Sequence, residues 1–126
     1  MIGTSYVKLG RNERAVYPLT RCTEIMPMNE KYFLERGKVY QTLQMFEEAV
    51  FDYTKVLELN NSHAKALFRR AFAYKALKQF DLAVTDMTRA KALDPENAHY
   101  NINHKYLRGV NYLRTAQSNR TRAKSK

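Results

Sequence analysis

Apolar residues along this chain follow the three- and four-residue spacing of amphipathic helices, and the pattern repeats after 34 residues. The equivalent pairs are Tyr40 and Tyr74, Leu43 and Leu77, Phe46 and Phe80, Ala49 and Ala83, Val50 and Val84, and Leu59 and Leu93. A fixed period of this length is typical of proteins built from stacked repeats, in which each unit contacts its neighbours. The sequence therefore predicts an all-α solenoid whose function lies on an extended surface.

Each copy of the pattern divides into two helices joined by a short turn. Phe33, Gly37 and Tyr40 share one face of the first helix, and the chain is predicted to turn at Gln44 and Met45. In the next copy the first helix carries Leu67, Ala71, Tyr74 and Leu77, and the second carries Phe80, Ala83, Val84, Met87 and Ala90.

Three polar positions predict where helices begin. Asn29 and Ser62 precede the first helix of each copy and are suited to accept hydrogen bonds from its free N–H groups. Asp94, followed by Pro95 and Glu96, predicts the start of a further helix.

The combination of aromatic and small residues in this period resembles the tetratricopeptide repeat. The residues that carry the resemblance are Phe33, Gly37, Tyr40, Phe46, Ala49 and Tyr53 in one unit, Leu67, Ala71, Tyr74, Phe80, Ala83, Ala90 and Pro95 in the next, and Gly3, Tyr6, Gly10, Ala15 and Pro27 in an earlier one. The resemblance implies a right-handed solenoid of helix-turn-helix units over 1–29, 30–63 and 64–97. The unit 1–29 is N-terminally incomplete, which makes the chain a candidate fragment of a longer array.

Some residues depart from the repeat pattern. Pro18 falls inside the second helix of the first unit, where it removes a backbone hydrogen bond and is expected to kink the helix or delay its start. Arg36 stands where the family has Leu, and Asn61 stands where it has Pro.

The segment 98–114 is predicted to be a capping helix. Ile102, Tyr106, Val110 and Leu113 form an apolar stripe that we expect to cover the end of the stack. The solvent side is then formed by Asn101, Asn103, His104, Lys105, Arg108 and Asn111. Residues 115–126 lack an apolar period and are predicted to form a disordered basic tail.

Positive charge is concentrated at the C-terminal end. The chain has 22 basic and 12 acidic residues, a net charge of +10, and residues 98–126 include no acidic residue. The cations assigned to the basic tail are Arg114, Arg120, Arg122, Lys124 and Lys126. A flexible cationic segment can bind RNA or another acidic surface by releasing counterions.

The sequence contains no recognisable catalytic, cofactor or metal constellation. His63, His99 and His104 lack the spacing of a helical metal pair, so we interpret them as surface or capping residues. Cys22 is the only cysteine, which favours a reducing compartment and hence the cytoplasm. No apolar run is long enough to span a bilayer, and no signal peptide is recognised.

The resemblance implies that the first helix of each unit lines the concave side of the solenoid, which we call the inner wall. Its predicted residues are Thr4, Val7 and Lys8, then Lys31, Leu34, Glu35, Lys38, Gln41 and Thr42, and then Lys65, Phe68, Arg69, Phe72, Lys75 and Ala76. The predicted groove within it consists of Lys38, Gln41, Lys65, Phe68, Arg69, Phe72 and Lys75. Cations beside exposed rings suit an acidic peptide with apolar anchors. A packing role for Phe68 and Phe72 stays open.

One subgroup of the family binds the acidic C-terminal tails of heat-shock chaperones through a carboxylate clamp. Lys65 and Arg69 resemble the Lys and Arg of that clamp. Glu35 and Thr4 stand where the clamp has Asn, and the Glu35 carboxylate would repel an acidic tail.

The sequence thus predicts a non-enzymatic protein-interaction module that binds a peptide and serves as a scaffold or adaptor. A chaperone C-terminal tail is one candidate partner, and no cofactor or membrane is implied. Two alternatives stay open: binding of RNA or an acidic surface through the basic tail, and self-association through the incomplete first unit.

Overall fold

The computed structural model describes the backbone of residues 2–124 and the side chains of residues 13–117. Over this part of the chain all regular secondary structure is α-helical. The helices are α1 (Ile2–Ile25), α2 (Glu30–Thr42), α3 (Phe46–Leu59), α4 (Ala64–Ala76), α5 (Phe80–Leu93) and α6 (Ala98–Lys124). Each helix packs against the next in sequence, and α2 also contacts α4. The architecture is the predicted all-α solenoid.

The helices follow the repeat seen in the sequence. α2, α4 and α6 begin at Glu30, Ala64 and Ala98, one period apart, and α3 and α5 begin at Phe46 and Phe80. α6 therefore occupies the position that the first helix of a further unit would take.

The helix starts agree in part with the predicted caps. The Asn29 side chain accepts a hydrogen bond from the Lys31 N–H at 3.1 Å, as predicted. The cap of α4 is His63 instead of Ser62: His63 Nδ1 accepts from the Ala66 N–H at 3.1 Å. The histidine lies one residue nearer the helix, so its ring reaches the free N–H groups.

The predicted helix start at Asp94 is wrong. The Asp94 N–H donates to the Ala90 carbonyl at 3.1 Å, so this residue still belongs to the end of α5. α6 begins at Ala98, and the Asn97 side chain accepts from the Tyr100 N–H at 3.2 Å.

The turns inside the two complete units are equivalent, and the turn predicted at Gln44 and Met45 is observed. Gln44 and Lys78 each adopt a φ of 62°, in the left-handed region that non-glycine residues enter rarely. The next N–H closes each turn: Met45 donates to the Tyr40 carbonyl at 2.8 Å, and Gln79 donates to the Tyr74 carbonyl at 2.9 Å.

The core runs along the stack between successive helices. Its largest fully buried apolar side chains are Tyr53, Val56, Leu67, Met87 and Leu107. Leu107 lies on α6, so this helix completes the core at the C-terminal end.

α6 presents a different face to the stack from the one predicted. Tyr100, His104 and Leu107 are buried, with exposed fractions of 5%, 8% and 1%. They lie one period after Ala66, Arg70 and Ala73, which face the interior from α4. The predicted stripe faces solvent instead: Ile102, Tyr106 and Leu113 are 66%, 54% and 67% exposed. His104, predicted to be solvated, is therefore a core residue.

The two ends of the chain also differ from expectation. A single helix, α1, covers 2–25 with Pro18 inside it, where a shortened helical hairpin was expected. α6 continues past residue 114 to Lys124 through a segment without Gly or Pro.

Gly3, Thr4, Tyr6, Val7, Lys8 and Gly10 lie outside the residues whose side chains are described. Within the described residues, no helix has the length and apolar character needed to cross a membrane.

Candidate peptide-binding surface

The seven predicted groove residues all lie on α2 and α4. Lys65 is exposed. The other six, which are Lys38, Gln41, Phe68, Arg69, Phe72 and Lys75, are half-buried. None of them is sealed inside the core, so all seven can contribute to a surface.

Two phenylalanines on α4 form an aromatic cluster with α6. The Phe68 and Phe72 rings meet edge to face with centroids 4.8 Å apart, and the Phe68 centroid lies 4.9 Å from that of Tyr100. Phe68 also packs against the core, so it has the packing role that the sequence left open. This anchoring holds Phe72 in place beside it.

Lys75 links the aromatic cluster to α6. Its Nζ lies 5.7 Å from the Phe72 ring centroid and 4.7 Å from that of Tyr106. The ammonium thus occupies the boundary between α4 and α6, where both ring faces attract it. An acidic group of a ligand would find this cation already positioned.

Gln41 and Arg69 both lie beside Tyr53. The Tyr53 hydroxyl donates to Gln41 Oε1 at 2.6 Å, which leaves the Gln41 amide N–H groups available for other partners. Burial raises the pKa of the Tyr53 phenol, and the nearby Arg69 guanidinium opposes that rise. Tyr53 is therefore a neutral donor that fixes Gln41 at the edge of the surface.

Glu35 forms an ion pair on the surface of α2. Its Oε1 lies 3.4 Å from Lys38 Nζ, one helical turn away, and both side chains are partly exposed. The lysine partly neutralises the carboxylate. Repulsion between Glu35 and an acidic ligand is weaker than the isolated residue would suggest.

Two exposed residues of α6, which the apolar pattern had assigned to the core, continue the row formed by Phe68 and Phe72. Ile102 and Tyr106 lie one period after Phe68 and Phe72, and both are exposed. Adding 34 to the numbers of the two phenylalanines would have identified them. The amphipathic pattern of α6 alone assigned them to the core.

Arg114, the first cation of the basic tail, packs against the turn between α4 and α5. The Arg114 guanidinium donates to the Lys78 carbonyl and lies 5.4 Å from the Phe80 ring centroid, so α6 is fastened to the α4–α5 turn at this point. The side chains of Arg120, Arg122 and Lys124 and the whole of Lys126 lie outside the described residues.

In the described part of the chain, no group of three His, Cys, Asp or Glu residues is placed to hold a metal ion. The three histidines are dispersed: His63 caps α4, His99 is exposed, and His104 is buried.

Comparison with known families identifies the repeat. Two profiles described as tetratricopeptide repeat match residues 30–63 and 64–97, which together make up more than half of the chain. The chain belongs to the tetratricopeptide repeat family. Members of this family generally serve as protein-interaction modules rather than enzymes. A comparison with curated protein sequences found no match.

Solved tetratricopeptide repeat domains share the fold. The first such domain of Spaghetti (RPAP3), bound to the HSP90 peptide SRMEEVD, is 28% identical with a TM-score of 0.77, and the match covers 86% of each chain. The second domain of human RPAP3, in complex with the HSP70 peptide SGPTIEEVD, is 28% identical with a TM-score of 0.75, covering 84% of this chain and 88% of that one. The Arabidopsis OM64 domain is 27% identical with a TM-score of 0.75, covering 85% and 88%.

Proposed function

We propose that the inner wall binds an extended acidic peptide that carries apolar anchor residues. The observation that supports this is the composition of α4 and α6. Neither helix contains an Asp or Glu, while α4 carries Lys65, Arg69 and Lys75 together with the half-buried Phe72. Carboxylates can pair with these cations, and apolar side chains can cover the rings.

The C-terminal tail of a chaperone is the partner that we consider first. The two RPAP3 domains described above hold peptides that end in EEVD, and the match to each spans most of this chain. Lys65 and Arg69 lie four residues apart on α4, so both point to the same face and can contact neighbouring carboxylates. The ion pair between Glu35 and Lys38 reduces the repulsion between the Glu35 carboxylate and such a ligand.

Binding of a fluorescently labelled SRMEEVD peptide, followed by anisotropy, tests the proposal. We expect Lys65→Glu combined with Arg69→Glu to abolish binding, because two attractive charges become repulsive. Circular dichroism should show unchanged helicity. The control is Lys55→Glu combined with Lys91→Glu, which changes the net charge equally on α3 and α5. Equal affinities of the two double variants would contradict the proposal.

A further inference from the structure

α6 lacks the small residue that lets α2 and α4 pack against the helix that follows them. Gly37 and Ala71 occupy this position, and a Cβ at Gly37 would already lie 2.6 Å from the Tyr53 ring. Lys105 follows Ala71 at the same spacing of 34 residues. A lysine leaves no room for a helix to approach this side of α6 as closely as α3 approaches α2. The side therefore stays open to solvent, whether or not further repeats follow in the sequence.

α6 also continues through the position at which α2 and α4 end in a turn. Gln44 and Lys78 adopt a φ of 62° in those turns, and the equivalent residue, Tyr112, lies inside α6, which extends to Lys124. Within the described residues, no second helix closes on this side of α6.

A cationic groove lies on this open side, where α5 meets α6. Its volume is about 580 Å³, a size that ligand sites commonly have. We call it the outer groove; it is lined by Lys91 from α5 and by Asn101, His104, Lys105, Arg108, Gly109 and Tyr112 from α6, and none of these residues is acidic. Burial, followed by the charges of Lys91 and Arg108, lowers the pKa of His104, so these two cations face the same ring from different helices.

The positive charge of the outer groove is not neutralised by the protein. Lys91, Lys105 and Arg108 are exposed, and within the described residues none of them forms an ion pair or a hydrogen bond. In contrast, Lys38 and Lys55 each pair with a glutamate one helical turn away. Neighbouring cations without a carboxylate repel one another, and an anionic ligand would remove that cost.

An aromatic ring beside these cations indicates which polyanion fits. Tyr112 lines the outer groove one helical turn after Arg108 and is 73% exposed. A basic surface with an exposed ring can pair with phosphates and stack on a base, which is how single-stranded nucleic acids are commonly held. α6 has no acidic residue along its 27 residues, about 40 Å, so a strand can follow it.

We propose that the outer groove binds a single strand of nucleic acid, with phosphates at Lys91, Lys105 and Arg108 and a base stacked on Tyr112. This site lies on α5 and α6, whereas the cations of the peptide-binding surface lie on α2 and α4. The inference is therefore independent of the proposed peptide binding, and either can fail without the other.

Anisotropy of a labelled 12-nucleotide oligouridine, titrated at 50 and 200 mM salt, tests the charges. We expect Lys91→Gln combined with Arg108→Gln to weaken binding about tenfold at 50 mM salt. The slope of log K against log salt should fall by about 1.4, since each lost phosphate contact contributes about 0.7. Lys65→Gln combined with Arg69→Gln removes the same charge from α4 and should leave both quantities nearly unchanged. All four side chains can be replaced without entering the core, so circular dichroism should show unchanged helicity.

Replacement of Tyr112 tests the stacking. Tyr112→Ser should weaken oligouridine binding about tenfold without changing the salt slope. Tyr17→Ser is the matched control, because Tyr17 is 72% exposed on α1 and lies outside the outer groove. Equal effects of the two tyrosine variants would overturn the assignment of the base-stacking position.

Three results would overturn the proposal as a whole. The first is no binding of oligouridine at 50 mM salt, whether or not the chain binds phosphatidylserine vesicles. The second is an equal loss of affinity in the Lys91/Arg108 and Lys65/Arg69 variants, which would indicate attraction by net charge alone. The third is full affinity in the Lys91/Arg108 variant together with loss of binding when Arg120, Arg122 and Lys124 are changed to Gln, because the strand would then bind the basic tail.

Discussion

Arg70 and Asp86 form a doubly hydrogen-bonded ion pair between α4 and α5. Arg70 Nε donates to Asp86 Oδ2 at 2.6 Å, and Nη2 donates to Oδ1 at 2.7 Å. Nη1 of the same guanidinium donates to Thr54 Oγ1 on α3 at 3.2 Å. The Thr54 hydroxyl can accept this bond because its own proton goes to the Val50 carbonyl, 2.7 Å away. One arginine therefore joins a unit internally and to the unit before it.

The same arrangement occurs one period earlier. Arg36 donates to both oxygens of Asp52, at 2.8 and 2.7 Å, and to Thr20 Oγ1 on α1 at 3.3 Å. Asp52 and Asp86 are buried, so each carboxylate has exchanged water for an arginine. Arg36, which departs from the repeat pattern, thus helps to join α1 to the first complete unit.

Removing one partner of such a pair should destabilise the fold strongly. Asp86→Ala leaves the half-buried Arg70 guanidinium without a carboxylate, and we expect a loss of about 3 kcal/mol in the free energy of unfolding. The measurement is urea denaturation followed by circular dichroism. Glu58→Ala is the control, since Glu58 pairs with Lys55 at 3.4 Å on the exposed face of α3 and should contribute less than about 1 kcal/mol. Similar losses for the two variants would contradict this prediction.

Gly37 is required because the Tyr53 ring lies against its Cα. A Cβ at this position would be 2.6 Å from Cε1 of the buried ring, closer than any normal contact. We expect Gly37→Ala to lower the free energy of unfolding by about 1–3 kcal/mol, as overpacking does in other cores. Gly109→Ala is the matched control: nothing lies within 4 Å of its Cβ, so it should stabilise α6 by about 0.5–1 kcal/mol.

The next unit suggests how the Gly37 clash can be relieved. Ala71 and Met87 occupy the positions of Gly37 and Tyr53 one period later, and both are fully buried. The larger Tyr53 is thus accompanied by the smaller Gly37 in one unit, and Met87 is accompanied by Ala71 in the next. We expect Tyr53→Met to recover part of the stability lost in Gly37→Ala. A double variant no more stable than the sum of the two single changes would show that the sites do not interact.

The 34-residue period predicted the helices and their turns, because it reflects contacts that each unit makes in the same way. The amphipathic pattern did not predict correctly which face of α6 packs against the stack. One face of α6 carries Tyr100, His104 and Leu107, and another carries Ile102, Tyr106, Val110 and Leu113. The second face is the more apolar, but α5 contacts the first one because the repeat sets the register between the helices.

The two buried ion pairs, Arg36 with Asp52 and Arg70 with Asp86, could not be predicted from single positions either. Arg36 and Asp52 are charged residues inside amphipathic helices, where a solvated position is the usual expectation. Their recurrence as Arg70 and Asp86 is visible in the sequence, but only the structure shows that each pair meets in the interior. In contrast, the helical spacing alone was enough to predict that Lys65, Phe72 and Lys75 lie on a solvent-accessible side of α4.

We expect the packing of α6 to be sensitive to pH because of His104. It occupies the position of Arg70 one period later, and its Nε2 lies 3.0 Å from Thr88 Oγ1. The Thr88 hydroxyl donates to the Val84 carbonyl, so Nε2 is the donor to Thr88 and Nδ1 is unprotonated in the neutral ring. Burial, together with the nearby Lys91 and Arg108, lowers the pKa of His104 below 6.5.

A lowered histidine pKa removes stability in acid. Well above pH 6.5 the ring is neutral in both states, and as the pH falls through 6.5 the unfolded chain takes up the proton first. The free energy of unfolding should therefore decrease between about pH 7.5 and about pH 5.5, and His104→Gln should reduce this decrease. Urea denaturation at the two pH values measures it. The exposed His99→Gln is the control, and an equal reduction in both variants would contradict the assignment.

Glu35 should weaken the binding of an acidic peptide, and its charge can be removed without altering the side-chain shape. In Glu35→Gln the repulsion disappears and the Lys38 ammonium is released from its 3.4 Å ion pair. We expect SRMEEVD to bind about fivefold more tightly, equivalent to about 1 kcal/mol, with a smaller gain at high salt. Glu58→Gln removes the same charge from an ion pair of the same length with Lys55 on α3, and should leave the affinity nearly unchanged. Weaker binding by Glu35→Gln would instead mean that this carboxylate contacts the peptide favourably, and the cationic model of the groove would have to be abandoned.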